Sequence, residues 1–188
     1  MATATPTITN GVNVSQLVDT IELIKKDPSL ATFRFRSQTR WQGGGRCETQ
    51  ISGYYGAGAE AARPKTHTIA GDEPPVLLGA DTAPNAVEAV LHALAACISV
   101  GYVYNAAARG ITIHSLRFDT EGVLDLRAFL GLTDKLRPGF ERITFTATVK
   151  ADAKRAELEE LCEYVQRTSP VLDILRNPVP VSIQLVSE

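Results

Sequence analysis

From residue 84 to residue 104 the chain is almost wholly apolar, with only Asn85, Glu88, His92 and Ser99 carrying plainly polar side chains. The run is too long for a strand and rich in alanine and leucine, so it predicts a helix from about residue 84 to Arg109. Gly110 supplies its C-terminal stop. A helix that is apolar on every side has to be covered on every side. A single chain of 188 residues with one sheet leaves part of such a helix bare, and a homodimer in which it packs against its twin is the expected solution.

The remaining composition bounds the function more than it defines it. The net charge of −2 favours neither nucleic acid nor an anionic membrane as partner. The most concentrated basic residues, Arg34, Arg36 and Arg40, alternate like the wet face of a strand. Three cysteines, Cys47, Cys97 and Cys162, do not make a disulfide framework, and a reducing cytoplasm is the expected setting. Residues 1–6 lack the basic and apolar segments of a secretory signal. The longest apolar stretch, 93–104, is shorter than the roughly 20 residues that span a bilayer, so no membrane association is expected.

Periodicity divides the chain into an α+β pattern. Residues 1–12 read as a loose leader. Asn13 is a good N-cap for a helix carrying Val14, Leu17, Val18, Ile21 and Ile24, stopped by Asp27-Pro28. Residues 1–30 are therefore set apart as leader and extra helix, and residues 31–188 as a single domain. Phe33 and Phe35 alternate with arginines as in a half-buried strand, and Gly43-Gly44-Gly45 turns the chain into a returning strand, 46–55. Residues 61–70 suggest a third strand, 111–122 another, and 143–149 a clear one in which apolar residues alternate with threonines. Residues 123–138 are irregular. Leu158, Leu161, Cys162 and Val165 mark one face of a helix over 153–167. Ser169-Pro170 opens a short helix, and Val181, Ile183 and Leu185 alternate as a last strand. The class is α+β with a mainly antiparallel sheet and a long buried central helix.

Several chemical signatures are missing. No phosphate-binding loop or zinc-protease motif occurs, and the triple glycine is not followed by a helix as a dinucleotide site requires. His67, His92 and His114 are too scattered to hold a metal, so no metal and no bound cofactor are expected. That leaves Cys97. A thiol in an apolar helix is either a small core residue or a nucleophile activated by a nearby cation. Spacing alone does not choose between the two. Glu88 is similarly double: Asn85 and Glu88 form a capping-box pair, which does not exclude a role in chemistry.

Residues 84–97, the segment Ala107-Ala108-Arg109-Gly110-Ile111, the turn Arg137-Pro138-Gly139-Phe140 and Ser169-Pro170-Val171 together resemble the OsmC/Ohr family. These are the osmotically inducible and organic-hydroperoxide-resistance proteins. The resemblance covers residues 31–187, and its most specific part is the stretch that ends at Cys97. It implies an OsmC-like fold and an intertwined homodimer that reduces organic hydroperoxides through a reactive cysteine assisted by an arginine and a glutamate. By motif position the cysteine is Cys97, the carboxylate Glu88 and the arginine Arg46. A thiolate attacks the peroxide and passes to sulfenic acid. A guanidinium stabilises the anion and a carboxylate holds that guanidinium through its planar fork. Glu88 and Cys97 stand nine residues apart on one helix, on nearly opposite faces and about 13 Å apart along the axis. Glu88 therefore acts on Cys97 only through the arginine or from a partner subunit.

One departure from the family pattern matters. Its catalytic members carry a second cysteine before a proline, which resolves the sulfenic acid as a disulfide; here that position is Ser169. Cys162 belongs to an apolar helix face, and Cys47 points away from any pocket containing Arg46 because neighbours on a strand face opposite ways. The expectation is a one-cysteine peroxidase for small organic hydroperoxides, regenerated by an external thiol reductant. The alternative is a non-enzymatic dimer that binds a small apolar ligand around Cys97.

Overall fold

The computed structural model describes residues 7–187. Part of the expected leader, residues 1–6, lies outside them. The rest of it is not loose. Strands β1 (Ile8–Thr9) and β2 (Val12–Asn13) flank a turn at Asn10-Gly11, where both residues have positive φ. Asn10 is tied down by its side chain: Nδ2 donates to the Ile111 carbonyl at 2.9 Å, and Oδ1 accepts from the Ile113 N–H at 2.9 Å. These partners are about a hundred residues away in sequence, which is why local reading misses them.

The chain forms two compact units. The described chain up to Ile8 with Asn13–Val90 makes up one, and Thr9–Val12 with the chain from Leu91 onward makes up the other. The first begins with helix α1 (Val14–Lys26), whose first turn is closed by Asn13 Oδ1 accepting from the Gln16 N–H at 3.0 Å. Asp27 ends it, and the Asp27 side chain then caps the turn Pro28–Ala31 through the Ser29 N–H. No residue of α1 is buried, and Val18, Ile21 and Leu23 stay exposed.

An antiparallel sheet follows, built from β3 (Arg34–Phe35), β4 (Gln38–Trp41), β5 (Cys47–Gly56) and β6 (Ala59–Gly71). β5 is central: β3 and β4 lie along one side of it, pairing Phe35 with Tyr54 and Trp41 with Cys47, and β6 takes the other side. Phe33, Phe35 and Tyr54 stack on one another with ring centroids 5.9–6.2 Å apart. The half-buried strand expected here is corrected: Phe33 and Phe35 are exposed, as is Trp41. Their alternation is real, but among the described residues nothing covers the face they form.

Helix α2 (Ala86–Ala108) begins in the first unit and runs on into the second. Its 23 residues are long and apolar enough to cross a membrane by length and composition, more than stretch 93–104 suggests. Gly110, at φ +70°, stops it, with the Ile111 N–H returning to the Ala106 carbonyl at 2.9 Å.

In the second unit the core lies between α2, the hairpin β7 (Ile113–Val123)–β8 (Arg142–Ala151) and α4 (Arg155–Thr168). Leu94, Ile98, Tyr102 and Ala106, four residues apart along α2, meet Leu161 and Val165 of α4, with Leu116, Phe118 and Phe145 of the hairpin packed around them. The opposite stripe of α2 is uncovered, with Ala96, Val100 and Tyr104 exposed. The central helix is thus buried along one face only in a single copy. The irregular stretch contains one short helix, α3 (Leu126–Phe129), and α5 (Pro170–Arg176) follows α4 directly.

Two sheet expectations change. The pairs within β3–β6 and β7–β8 are antiparallel, as expected, but β7–β8 forms its own two-stranded ladder, separate from that of β3–β6. The last strand is absent among the described residues: 178–187 joins no strand ladder, and Ile183 and Leu185 are 92% and 95% exposed. Alternation makes a strand only where a sheet edge is available to receive it.

Candidate active site

Cys97 sits midway along α2, half-buried, three residues beyond Leu94 and one before Ile98, both fully packed. Among the described residues its sulfur has one hydrogen-bonding neighbour, Ser169 Oγ at 3.2 Å. Ser169 is only 5% exposed and joins α4 to α5. The serine is there for a local reason. Pro170 opens α5 with a residue that needs no N–H partner, and Ser169 Oγ caps the helix by accepting from the Leu172 N–H at 3.3 Å. That cap and the packing of α4 on α2 fix the hydroxyl opposite Cys97.

Arg46 and Glu88 belong to the first unit. Arg46 follows the glycine turn, which is closed by the Gln42 N–H donating to the Arg46 carbonyl and pinned by Trp41 Nε1 donating to the Gly44 carbonyl at 2.9 Å. The guanidinium is exposed and, among the described residues, donates only to the Gln42 carbonyl, at 3.4 Å. It lines an open cleft of about 560 Å³ with Gly43, Gly44, Gly45, Asp72 and Gly79. Cys47 does not line that cleft; its sulfur lies against Gly71. Glu88 serves as half of a capping box: its Oε2 accepts from the Asn85 N–H, and Asn85 Oδ1 accepts from the Glu88 N–H, both at 2.9 Å. Among the described residues Arg46 and Glu88 form no ion pair with each other.

The expectations left one residue out. Asp72, at the end of β6, is 2% exposed, and its carboxylate accepts from Thr82 Oγ1 at 2.7 Å, the Thr82 N–H at 3.0 Å and the Glu73 N–H at 2.8 Å. Those bonds, the Thr82 hydroxyl first, hold its carboxyl down to about 2. Asp72 thereby closes the loop 73–81 that leads into α2. The only sequence signal is an Asp and a Thr ten residues apart around Pro74-Pro75.

The other thiol of the second unit, Cys162, accepts from Gln166 Nε2 at 3.5 Å and adjoins the Tyr102 hydroxyl. Burial first, then the Cys162 thiol, pushes the Tyr102 phenol well above its usual range, so it stays protonated. Cys162 packs against the core, in keeping with a structural role. Among the described residues no three His, Cys, Asp or Glu side chains come together to hold a metal ion.

The family model for OsmC-like protein matches residues 79–184, more than half of the chain. The chain belongs to the OsmC family. Solved structures agree in fold. An OsmC-like protein from Mycoplasma pneumoniae superposes with a TM-score of 0.58 at 14% identity, over 77% of this chain and 89% of that one. An OsmC-like protein of unknown function from Vibrio cholerae O1 biovar eltor gives 0.56 at 12% identity, over 74% and 92%. An organic hydroperoxide resistance protein OsmC from Legionella pneumophila gives 0.51 at 16% identity, over 78% and 91%. At these identities the likeness is one of fold. No curated protein sequence matches the chain. Within the OsmC-like region lie both Cys97 and Ser169, brought together across 72 residues, and also Glu88; Arg46 lies before it.

Proposed function

We propose that this OsmC-like protein is a one-cysteine thiol peroxidase that reduces small organic hydroperoxides at Cys97. The reading is carried by the half-buried Cys97 thiol facing a hydroxyl, not a second sulfur. The Legionella relative, named for organic hydroperoxide resistance, supports the substrate class.

The Cys97 thiolate attacks the distal peroxide oxygen. The S–O bond forms as the O–O bond breaks, the alkoxide takes up a proton and leaves as the alcohol, and the sulfur, oxidised by two electrons, becomes sulfenic acid. Ser169 cannot form a disulfide. An external thiol therefore displaces water from the sulfenic acid to give a mixed disulfide, and a second thiol equivalent frees Cys97 and leaves as the external disulfide. Arg46, exposed and without an ion pair among the described residues, is the proposed cation of the reaction, and Glu88 its carboxylate. The working form is a homodimer, in which the bare stripe of α2 and the unpaired C-terminal segment are covered by a second copy.

The test is consumption of an aromatic hydroperoxide with dithiothreitol or a dihydrolipoyl donor. Wild type should turn over and Cys97→Ser should not. Equal rates for the two remove the peroxidase reading and leave the binding of a small apolar ligand as the alternative.

A further inference from the structure

The hydroxyl that replaces the second sulfur is placed to do more than fill its space. Ser169 Oγ has two lone pairs and one proton. The Leu172 N–H occupies one lone pair at 3.3 Å, and the remaining polar neighbour is Cys97 Sγ at 3.2 Å. While Cys97 is a thiol, either group can donate across that contact, and an S–H bond is weak. Once Cys97 is ionised only the serine has a proton to give. The bond then becomes charge-assisted and about twice as strong as a neutral one. Ser169 thus interacts with the thiolate more strongly than with the thiol, and at 5% exposure the serine hydroxyl itself meets little competition from water.

We propose that Ser169 is a positioning residue for the peroxide reaction: its Oγ–H donates to the ionised Cys97 sulfur and fixes that sulfur for attack. The role rests on the peroxidase reading for its purpose but not for its chemistry, since any electrophile that consumes a thiolate reports it. After oxidation the same hydroxyl faces the sulfenic acid, so Cys97 has a polar partner while it waits for the external thiol.

Iodoacetamide alkylation tests this, read on the Cys97 peptide by mass spectrometry so that Cys47 and Cys162 do not contribute. Ser169→Gly removes the hydroxyl at little cost to the helix cap, and Ser169→Ala serves as a second variant. At pH 7 both should alkylate Cys97 about threefold more slowly than wild type: one hydrogen bond to a charged group is worth about tenfold in thiolate, and the greater nucleophilicity of the unbonded, more basic sulfur offsets part of it. Near pH 10, where a larger share of thiols is ionised, the deficit should vanish or turn into a small excess. Rates equal to wild type at pH 7 overturn the proposal. So does a deficit that persists at pH 10, which marks altered access to the sulfur. Alkylation needs no peroxide, so a wild-type protein that fails to consume hydroperoxide removes the proposed function while the Ser169 result stands by itself.

Discussion

Gly101 faces Val165 so closely that a methyl group in its place would stand 2.8 Å from Val165 Cγ1. The contact joins the middle of α2 to α4, and α4 ends at Thr168, one residue before Ser169. The closeness of the two helices therefore also sets where the serine hydroxyl meets Cys97. Val165 is 1% exposed and stiff about χ1, so it has no easy way to retreat.

Gly101→Ala accordingly sets two effects against each other. Alanine gains about 1 kcal/mol of helix propensity. Overpacking a closed contact costs about 1–3 kcal/mol. The expected balance is a loss of about 1 kcal/mol, and Gly101→Val should lose about 3 kcal/mol because propensity no longer compensates. Chemical denaturation measures both. A Gly101→Ala protein more stable than wild type shows that α4 can move aside freely, and then the helix pair does not set the distance between Cys97 and Ser169.

Ser169→Cys puts a sulfur where the hydroxyl stands, 3.2 Å from Cys97 Sγ. A disulfide needs about 2.05 Å between sulfurs, so a shift of roughly 1 Å across the α2–α4 contact closes it. Peroxide treatment of the variant should give an internal disulfide between Cys97 and the introduced thiol, seen as the loss of two hydrogens in the intact mass and as a crosslinked peptide. The introduced thiol then takes the place of the first external thiol in resolving the sulfenic acid, and two external thiol equivalents are spent instead on reducing the internal disulfide. If a mixed disulfide accumulates with no internal link, the two side chains do not meet in solution.

What was legible in the chain was local. Asn13 as a cap, Gly110 as a stop and the alternation of residues 143–149 each depend on neighbours within a few positions, and each element forms where expected. The same alternation at Phe33 and Phe35, and at Val181, Ile183 and Leu185, identifies a face that needs covering but not what covers it. Among the described residues nothing covers the first and no strand edge receives the second. Asn10 and Asp72 escaped because an Asn or Asp in a turn looks the same whether its partners are adjacent, ten residues on or a hundred residues on. The pairing of Cys97 with Ser169 is equally remote. It was legible only because a recognisable motif surrounds each residue.

The Asp72 carboxylate carries a signature in pH. Its folded pKa, about 2, lies below the ordinary value of 3.8, so the stability it contributes is complete above pH 4 and is lost as pH falls from there towards 2. Asp125, held down by Arg127, titrates in the same window and is present in both proteins when wild type is compared with Asp72→Asn. The variant confronts the Thr82 and Glu73 N–H donors with an amide that is itself half donor. It should melt below wild type at pH 7, and the gap should narrow steadily between pH 4 and 2. A gap independent of pH assigns the loss to packing and not to the charged hydrogen bonds.

The bare stripe of α2 leads to the last prediction. Val100 and Tyr104 lie on the side of the helix opposite Leu94, Ile98 and Tyr102, and both are about half exposed, as is much of α1's apolar face. Apolar surface left in water at this density is stabilised by burial at about 25 cal/mol per Å². Light scattering should therefore give twice the chain mass at micromolar concentration. Val100→Lys adds a charge that a lone chain tolerates in solvent but that two copies would have to desolvate between them, so it should shift the protein to the single-chain mass while Lys65→Glu, on an exposed strand, should not. A wild-type mass of one chain, or a Val100→Lys protein that stays paired, would mean that α2 is not the surface through which two copies meet.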